Sequence, residues 1–386
     1  MYSIHQAHIK NNAKAFIKKG EKMGNIPLFR HIVLQPTTVC NLNCQYCYLP
    51  DRDKVESMTK EVSEALVKSI ETLDYPVCLV WHIGEPLATG LRTFKELIEP
   101  FRKLRNKQKI RHSVQTNGTL ISQQWCNLFR EEKFEIGVSI DGNELQNSGR
   151  VTITGIPAFP KIMNGIELLK QNNLSFSVLA TVNSKNIKQA DAFYDFFASL
   201  GCNSLNINVE EKEGFNRHSR GAKRNEVKRF WEELFKAWAK NPVIKIRELN
   251  MVLGYIASTL SNNKSEKKYY GRGFWPTIAF SGDLTVISPE FISTNEDERQ
   301  RFIIGNILET PLHQLVYEAQ NAWYVKEFFI GVNNCRQSCE YYEFCGGGQA
   351  SNKYFELGDI TGTETTHCRN SRKFVMDAVL KSLSNK

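Results

Sequence analysis

HIVLQPTTVCNLNCQYC (residues 31–47) is the stretch on which the fold turns. Its first five residues are largely aliphatic and read as a short buried strand. Immediately afterwards, where strand gives way to loop, come Cys40, Cys44 and Cys47 at a Cys-x3-Cys-x2-Cys spacing. Three thiolates can hold three corners of a [4Fe–4S] cluster and leave the fourth iron open to a ligand atom. A structural zinc site would want a fourth Cys or His close by, and the nearest, His31, lies at the far end of the strand.

Beyond this stretch, strand-like and helix-like segments alternate. VCLVWHIG (77–84), RHSVQTNG (111–118), EIGVSIDG (135–142), SFSVLATV (175–182) and SLNINV (204–209) read as strands. Thr59 can cap a helix whose apolar face is Val62, Leu66, Ile70 and Leu73. A second helix carries Phe94, Leu97, Ile98, Phe101 and Leu104 on one face, and others fall near 122–133, 159–172, 187–200 and 225–240. Six β-α units in series imply parallel strands joined by crossovers, hence an α/β barrel or an open sheet. Past residue 243 the rhythm changes. A helix over 244–261 and the Lys-rich stretch of Lys264, Lys267 and Lys268 lead to a hairpin around Ser281-Gly282-Asp283. A helix over 311–330 and a terminal helix complete the pattern. The chain divides into a helical extension (1–28), the alternating core (29–242), a linking helix (243–270) and a C-terminal region (271–386).

The chain has 386 residues, with 50 Lys+Arg against 41 Asp+Glu and a net charge of +9. Charged residues make up 24%, and hydrophobic residues at 41% exclude a disordered or collagen-like chain. No apolar run approaches the ~18 residues of a membrane span. The first 30 residues lack the apolar core of a signal peptide. The expectation is a cytoplasmic protein with reduced thiols, in which ten cysteines point to metal or catalysis rather than disulfides. Both charge signs are spread along the chain, and no basic-aromatic stripe marks a nucleic-acid surface. Cys78, Cys126 and Cys202 lie singly in apolar segments and read as buried small hydrophobes. The remaining four form a second group, Cys335-x3-Cys339-x5-Cys345 with Cys368 after 22 intervening residues. Four thiolates suffice to close either a [4Fe–4S] cluster or a zinc site, and spacing does not separate the two.

Taken in order along the chain, these motifs resemble the radical S-adenosylmethionine (SAM) enzymes. The resemblance implies a partial (β/α)6 barrel over the alternating core, a [4Fe–4S] cluster on Cys40, Cys44 and Cys47, and SAM on the open iron. Tyr46 matches the aromatic residue that lies against the adenine. His82-Ile83-Gly84-Glu85-Pro86 resembles the Gly-Gly-Glu-Pro segment that binds the SAM amino group, with Ile83 where the first Gly is usual. Gln115 and Asn117 end the third strand and Ser139 the fourth, positions that face SAM in the family. Arg150 matches, one residue early, an Arg that pairs with the SAM carboxylate.

Cys345-Gly346-Gly347-Gly348 resembles the SPASM domain, the C-terminal α+β module of peptide-modifying radical SAM enzymes. Full SPASM domains hold two auxiliary clusters. Here Gln349 stands where a Cys is expected, and the hairpin Phe280–Glu290 holds none. One auxiliary site thus keeps all its ligands and the other keeps none, so two [4Fe–4S] clusters are expected in total. The emptied site would leave substrate space, with Glu290 and Asp283 as candidate catalytic proton acceptors. CQYCYLPDR (44–52) and NVEEKEG (208–214) look most like the cyclophane-forming maturases, which link an aromatic ring to a β-carbon in a ribosomally made precursor peptide. The implied partners are a precursor peptide with its leader and a flavodoxin- or ferredoxin-like reductant, with no nucleic acid and no membrane. The competing resemblance is to anaerobic sulfatase maturases, which oxidise a protein Cys or Ser to formylglycine. It is carried by GVSIDG (137–142) and the helix Gly165–Leu169, while the missing auxiliary cysteines weigh against it.

Overall fold

The computed structural model describes residues 28–384, apart from 51, 53, 217, 218, 220, 262–273 and 294–298. The expected helix over 1–28, save Leu28, and the Lys-rich stretch lie outside the described residues. Six strands follow the alternating pattern: β1 (His31–Leu34), β2 (Val77–Trp81), β3 (Ile110–Thr116), β4 (Glu135–Ser139), β5 (Phe176–Val182) and β6 (Ser204–Val209). Each pairs in parallel with the next in chain order, as crossover connections require. On β5, Phe176, Val178, Ala180 and Val182 are buried, while Ser177, Leu179 and Thr181 between them are only partly so. The same alternation leaves Ser113 and Gln115 of β3 and Asn206 and Asn208 of β6 partly accessible. One face of the sheet is therefore apolar and the other is largely polar, a surface that can meet a ligand.

The crossovers run through α1 (Lys60–Glu71), α2 (Leu91–Ile98), α3 (Arg102–Asn106), α4 (Gln123–Glu131), α5 (Phe159–Gln171) and α6 (Ala190–Leu200), with α7 (Arg224–Lys240) after β6. The helix expected across Phe94–Leu104 is split by a 3-10 turn at Glu99–Phe101, where Pro100 cannot donate a backbone bond. Its face survives the break, since Phe94, Leu97, Ile98, Phe101 and Leu104 are all buried. The segment expected to be a linking helix opens instead with β7 (Lys245–Ile246), which pairs with β6, and continues as α8 (Arg247–Leu260). Beyond that two-residue strand the edge of β6 is satisfied by a side chain: Ile207 N–H donates to the buried Glu248 carboxylate at 3.1 Å. Cys78 and Cys126 are buried as expected, whereas Cys202 follows a helix C-cap and is only partly covered.

The C-terminal region adds to the same sheet. β8 (Thr277–Ile278) and β9 (Asp283–Thr285) form the expected hairpin, and β10 (Gly305–Asn306) pairs with β9. β8 also pairs in parallel with β1, so the strand order is β10-β9-β8-β1-β2-β3-β4-β5-β6-β7. A boundary in 243–270 thus divides the chain without dividing the sheet. The helix expected over 311–330 is two, α9 (Leu312–Glu318) and α10 (Trp323–Ser338), separated by a 3-10 turn. Short helices α11 (Tyr342–Cys345), α12 (Ala350–Leu357) and α13 (Thr366–Cys368) follow, then α14 (Phe374–Ser384), which returns to pack on α7 and α8. No helix among the described residues is long and apolar enough to cross a membrane.

Trp231 of α7 seals that return: it is fully buried and its indole N–H donates to Asn370 O at 2.8 Å. Trp231→Ala should cost about 3–5 kcal/mol. Trp231→Phe should cost less, since it keeps most of the buried area and loses the bond. Urea midpoints of the two variants against the parent chain test this order.

Candidate functional site

The loop after β1 is held from several sides. Cys40 N–H donates to Arg52 O at 3.2 Å, Asn43 N–H to Val151 O at 2.7 Å, and Gln45 N–H to Gly149 O at 3.0 Å. Beneath it, the turn after β2 places Ile83 (φ +68°) and Gly84 (φ +79°) in the left-handed region in succession. Gly84 has no freedom to be anything else: a Cβ there would lie 2.5 Å from Thr37 O and 3.0 Å from Val39 O. Ile83, by contrast, bears the strain of a β-branched residue at positive φ, and its side chain is buried against Val33, Ala279 and Ile292. The missing family glycine is thus replaced by an apolar plug between β1 and the C-terminal hairpin.

Cys40, Cys44 and Cys47 are free thiols close enough to feel one another's charge. Burial, then Glu85, pushes Cys40 up to about 12, and burial pushes Cys44 to about 11. Thiols so disfavoured as free thiolates suit a metal centre that would take up their charge. Among the described residues no group of three or more His, Cys, Asp or Glu is gathered for a single metal ion. Ligands to separate irons of a cluster need no such convergence.

The strand ends around this loop form one bonded network. Glu85 is buried; its Oε1 accepts from Thr116 Oγ1 at 2.7 Å and Leu87 N at 3.0 Å, and its Oε2 from Asn117 N at 2.7 Å. Oε2 thereby retains an acceptor position. The Asn117 amide reaches Asn41 Oδ1 at 2.8 Å and lies 3.9 Å from Cys40 Sγ. Gln115 Nε2 donates to Ser139 Oγ at 2.8 Å. Arg150 Nη2 donates to the buried Asp141 Oδ1 at 2.9 Å, and its buried Nε has no hydrogen-bond partner among the described residues. Asp141 also accepts from the Tyr46 hydroxyl and from Thr181 N at 2.8 Å, so it orients both Tyr46 and Arg150. Sequence reasoning quoted Asp141 only as a strand-end residue; its three partners come from separate segments and leave no local pattern.

The second cysteine group converges. Cys335 in the last turn of α10, Cys339 just after it, Cys345 ending α11 and Cys368 ending α13 all line one cavity of about 290 Å³, with Gly347, Gly348 and Lys373. A hydrogen bond between the free thiols of Cys345 and Cys368, ahead of burial, raises Cys368 strongly. A donor set of four thiols around such a space fits a closed four-iron cluster.

A third feature was not foreseen. The loop after β6 carries Glu211 and Glu213, and the 3-10 turn after β9 carries Glu290. Glu213 Oε1 accepts from Ser351 Oγ at 3.0 Å and Asn352 Nδ2 at 2.6 Å, and Asn352 also reaches Glu211 at 2.6 Å. His367 Nδ1 lies 3.0 Å from Glu211 Oε1. Burial, then Glu211 and Glu290, holds Glu213 well above the usual carboxylate range. Burial would raise Glu211 too, but His367 and its hydrogen bonds hold it low. Burial, with Glu211 adding, raises Glu290 to about 7. Tyr48, next to Cys47, lies in the field of all three carboxylates. Gly214 lets the β6 loop press on it, since a Cβ there would meet Tyr48 O at 2.5 Å. Asp283 does not join this cluster. Its carboxylate accepts from Ser281 Oγ at 2.7 Å and Asn306 Nδ2 at 2.9 Å, which lock the hairpin.

Residues 34–197 match the radical SAM superfamily. An uncharacterized protein of Synechocystis sp. is 31% identical over 91% of each chain. The cysteine-type anaerobic sulfatase-maturating enzyme of Clostridium perfringens is 27% identical over 84% of this chain and 89% of its own. SuiB of Streptococcus suis, solved bound to precursor peptide SuiA, shares the fold with TM-score 0.67 over 93% of this chain and 79% of that chain, at 17% identity.

Gly84→Ala should both strain the backbone and displace the cysteine loop, at a cost above ~1 kcal/mol. Chemical denaturation reads the loss of stability. Alkylation followed by mass spectrometry should show Cys40, Cys44 and Cys47 reacting faster while Cys78 and Cys126 do not.

Proposed function

This chain belongs to the radical SAM superfamily, and we propose that it matures a ribosomally made precursor peptide by joining an aromatic ring to a β-carbon, a cyclophane crosslink. It is an enzyme of the radical SAM type, built on the α/β fold with a largely parallel sheet. The observation that carries the finer reading is the asymmetry of the auxiliary cysteines. Four line one cavity, while Gln349 and the cysteine-free hairpin leave the other auxiliary position to Glu290 and its neighbours.

Cys40, Cys44 and Cys47 would hold the SAM-binding [4Fe–4S] cluster, and Cys335, Cys339, Cys345 and Cys368 the auxiliary one. When bound, cluster and SAM supply a 5′-deoxyadenosyl radical that removes a hydrogen atom from an unactivated carbon. The chain's own residues do the positioning. Glu85 offers Oε2 to the SAM amino group, Asp141 fixes Tyr46 beside the adenine position, and Gln115, Asn117, Ser139 and Arg150 border the same space. Once the new carbon–carbon bond forms, one electron and one proton must leave the ring to restore aromaticity. Glu290 is the group set to take the proton, because its carboxyl titrates near neutrality and it stays partly accessible. Glu213 and Glu211 lie behind it, hydrogen-bonded to each other. SuiB, bound to a precursor peptide, supports a peptide substrate. A flavodoxin- or ferredoxin-like protein would supply the electron that starts the reaction.

A second reading is favoured by the sulfatase-maturating relative: oxidation of a protein Cys or Ser to formylglycine. The same cluster and the same proton acceptor would serve it. A crosslink lowers the mass by about 2 Da, two hydrogens, and so does oxidation of Ser to formylglycine, so the two are separated by tandem fragmentation, which a ring suppresses, and by hydrazide labelling, which only the aldehyde accepts. Co-expression with the short reading frame beside the gene tests this; an unmodified peptide beside an enzyme that cleaves SAM rejects that peptide as substrate.

Anaerobic reconstitution should yield about eight irons per chain; about four or about twelve contradicts two clusters. Replacing Cys40, Cys44 and Cys47 together by Ala should abolish 5′-deoxyadenosine formation. Glu290 is competent as a base only when ionised, so product formation should fall as pH drops through about 7. Glu290→Gln should lower product formation at every pH by roughly 10²-fold and remove that pH dependence, with SAM cleavage retained. An equal loss of both would assign Glu290 to SAM binding instead.

A further inference from the structure

Helix α12 faces two sites from one turn. Ser351 and Asn352 bond to the carboxylate cluster, while the next residue, Lys353, sends its side chain to Cys335, one of the four cysteines that line the cavity. Lys353 is 0% exposed, and its ammonium lies 3.9 Å from Cys335 Sγ. Its path is cleared by glycines from two other segments. A Cβ at Gly331 of α10 would come 2.7 Å from Nζ, and one at Gly348 would come 3.4 Å from Cε. The Phe328 ring lies 5.8 Å from the ammonium. A buried ammonium is expensive to hold unless negative charge stands beside it. The Cys335 thiolate of a closed cluster would add such charge 3.9 Å away, and would grow more negative as the cluster accepts an electron.

We propose that Lys353 is a positioning charge for the auxiliary cluster: by stabilising its reduced form, it raises the cluster's reduction potential and makes it an acceptor for the electron released from the substrate. The inference rests on the reading of Cys335, Cys339, Cys345 and Cys368 as ligands of that cluster. It assigns to one buried side chain what hydrogen bonding and charge around the sulfurs do at iron–sulfur centres generally. Lys373 also lines the cavity, but it is partly exposed and ion-paired with Glu364, so solvent and a carboxylate screen its charge.

The test uses the full chain with Cys40, Cys44 and Cys47 replaced by Ala, which isolates the auxiliary site. Iron counting and an EPR-monitored redox titration are run on this parent and on its Lys353→Met, Lys353→Gln and Lys373→Met derivatives. The parent should hold about four irons. Lys353→Met and Lys353→Gln should keep that iron and lose at least tenfold in the equilibrium constant for reduction, about 59 mV towards lower potential for one electron. Lys373→Met should shift it less. An unchanged potential in both Lys353 variants overturns the proposal, and so does loss of iron from both, which would make the lysine a structural prop. A parent without iron overturns the auxiliary-cluster reading itself, and the proposal with it.

Discussion

The first strand must satisfy its backbone on both edges, and the rest of the site depends on how it does so. One edge of β1 pairs with β2 in the ordinary βαβ manner. The other is left free by the parallel run from β1 to β6, and an unpaired strand edge in a protein interior is costly. The partner comes from far along the chain: Val33 N–H donates to Pro276 O and Gln35 N–H to Ile278 O, both at 2.9 Å. That pairing welds the C-terminal hairpin to the strand that ends in the cysteine loop. Ile83, strained and buried between the two, fills the seam.

Because the hairpin is fixed there, the turn that follows it has one place to go. Glu290 is brought to the loop after β6, and the carboxylates of Glu211, Glu213 and Glu290 gather beside Tyr48 and thus beside Cys47. Burying such a group of acids is tolerable only with donors to match. Ser351, Asn352 and His367 supply them from two further helices. Those helices are held by the same turns that carry Cys345 and Cys368. The acid cluster and the four-cysteine cavity are linked through α12, whose Ser351 and Asn352 bond to the acids and whose Lys353 reaches Cys335.

Much of this was legible along the chain. The six strands and most of the helices fall within a few residues of where apolar periodicity put them, because each must bury one face whatever its neighbours are. Both cysteine groups were legible because ligand spacing is local. The misreadings have equally physical causes. Pro100 and the turn at Ala319–Asn321 interrupt helices whose apolar faces continue across the break, so the face was found and the break was not. That Asn306, on another strand, claims one of the Asp283 oxygens is equally invisible along the chain.

The sequence by itself determined the kind of chemistry: three thiols in one loop and four in another, ordered strand ends, and a hairpin stripped of cysteine. These are matters of residue type and local spacing, which the chain carries wherever it goes. Only the tertiary structure decided which acids meet. Glu211 and Glu213 share the loop after β6, whereas Glu290 comes from the turn after β9 and no periodicity joins it to them, and Lys353 reaches Cys335 only through gaps left by Gly331 and Gly348. The reason is that desolvation and charge act across space: a carboxylate or an ammonium acquires its altered character from what the fold packs against it.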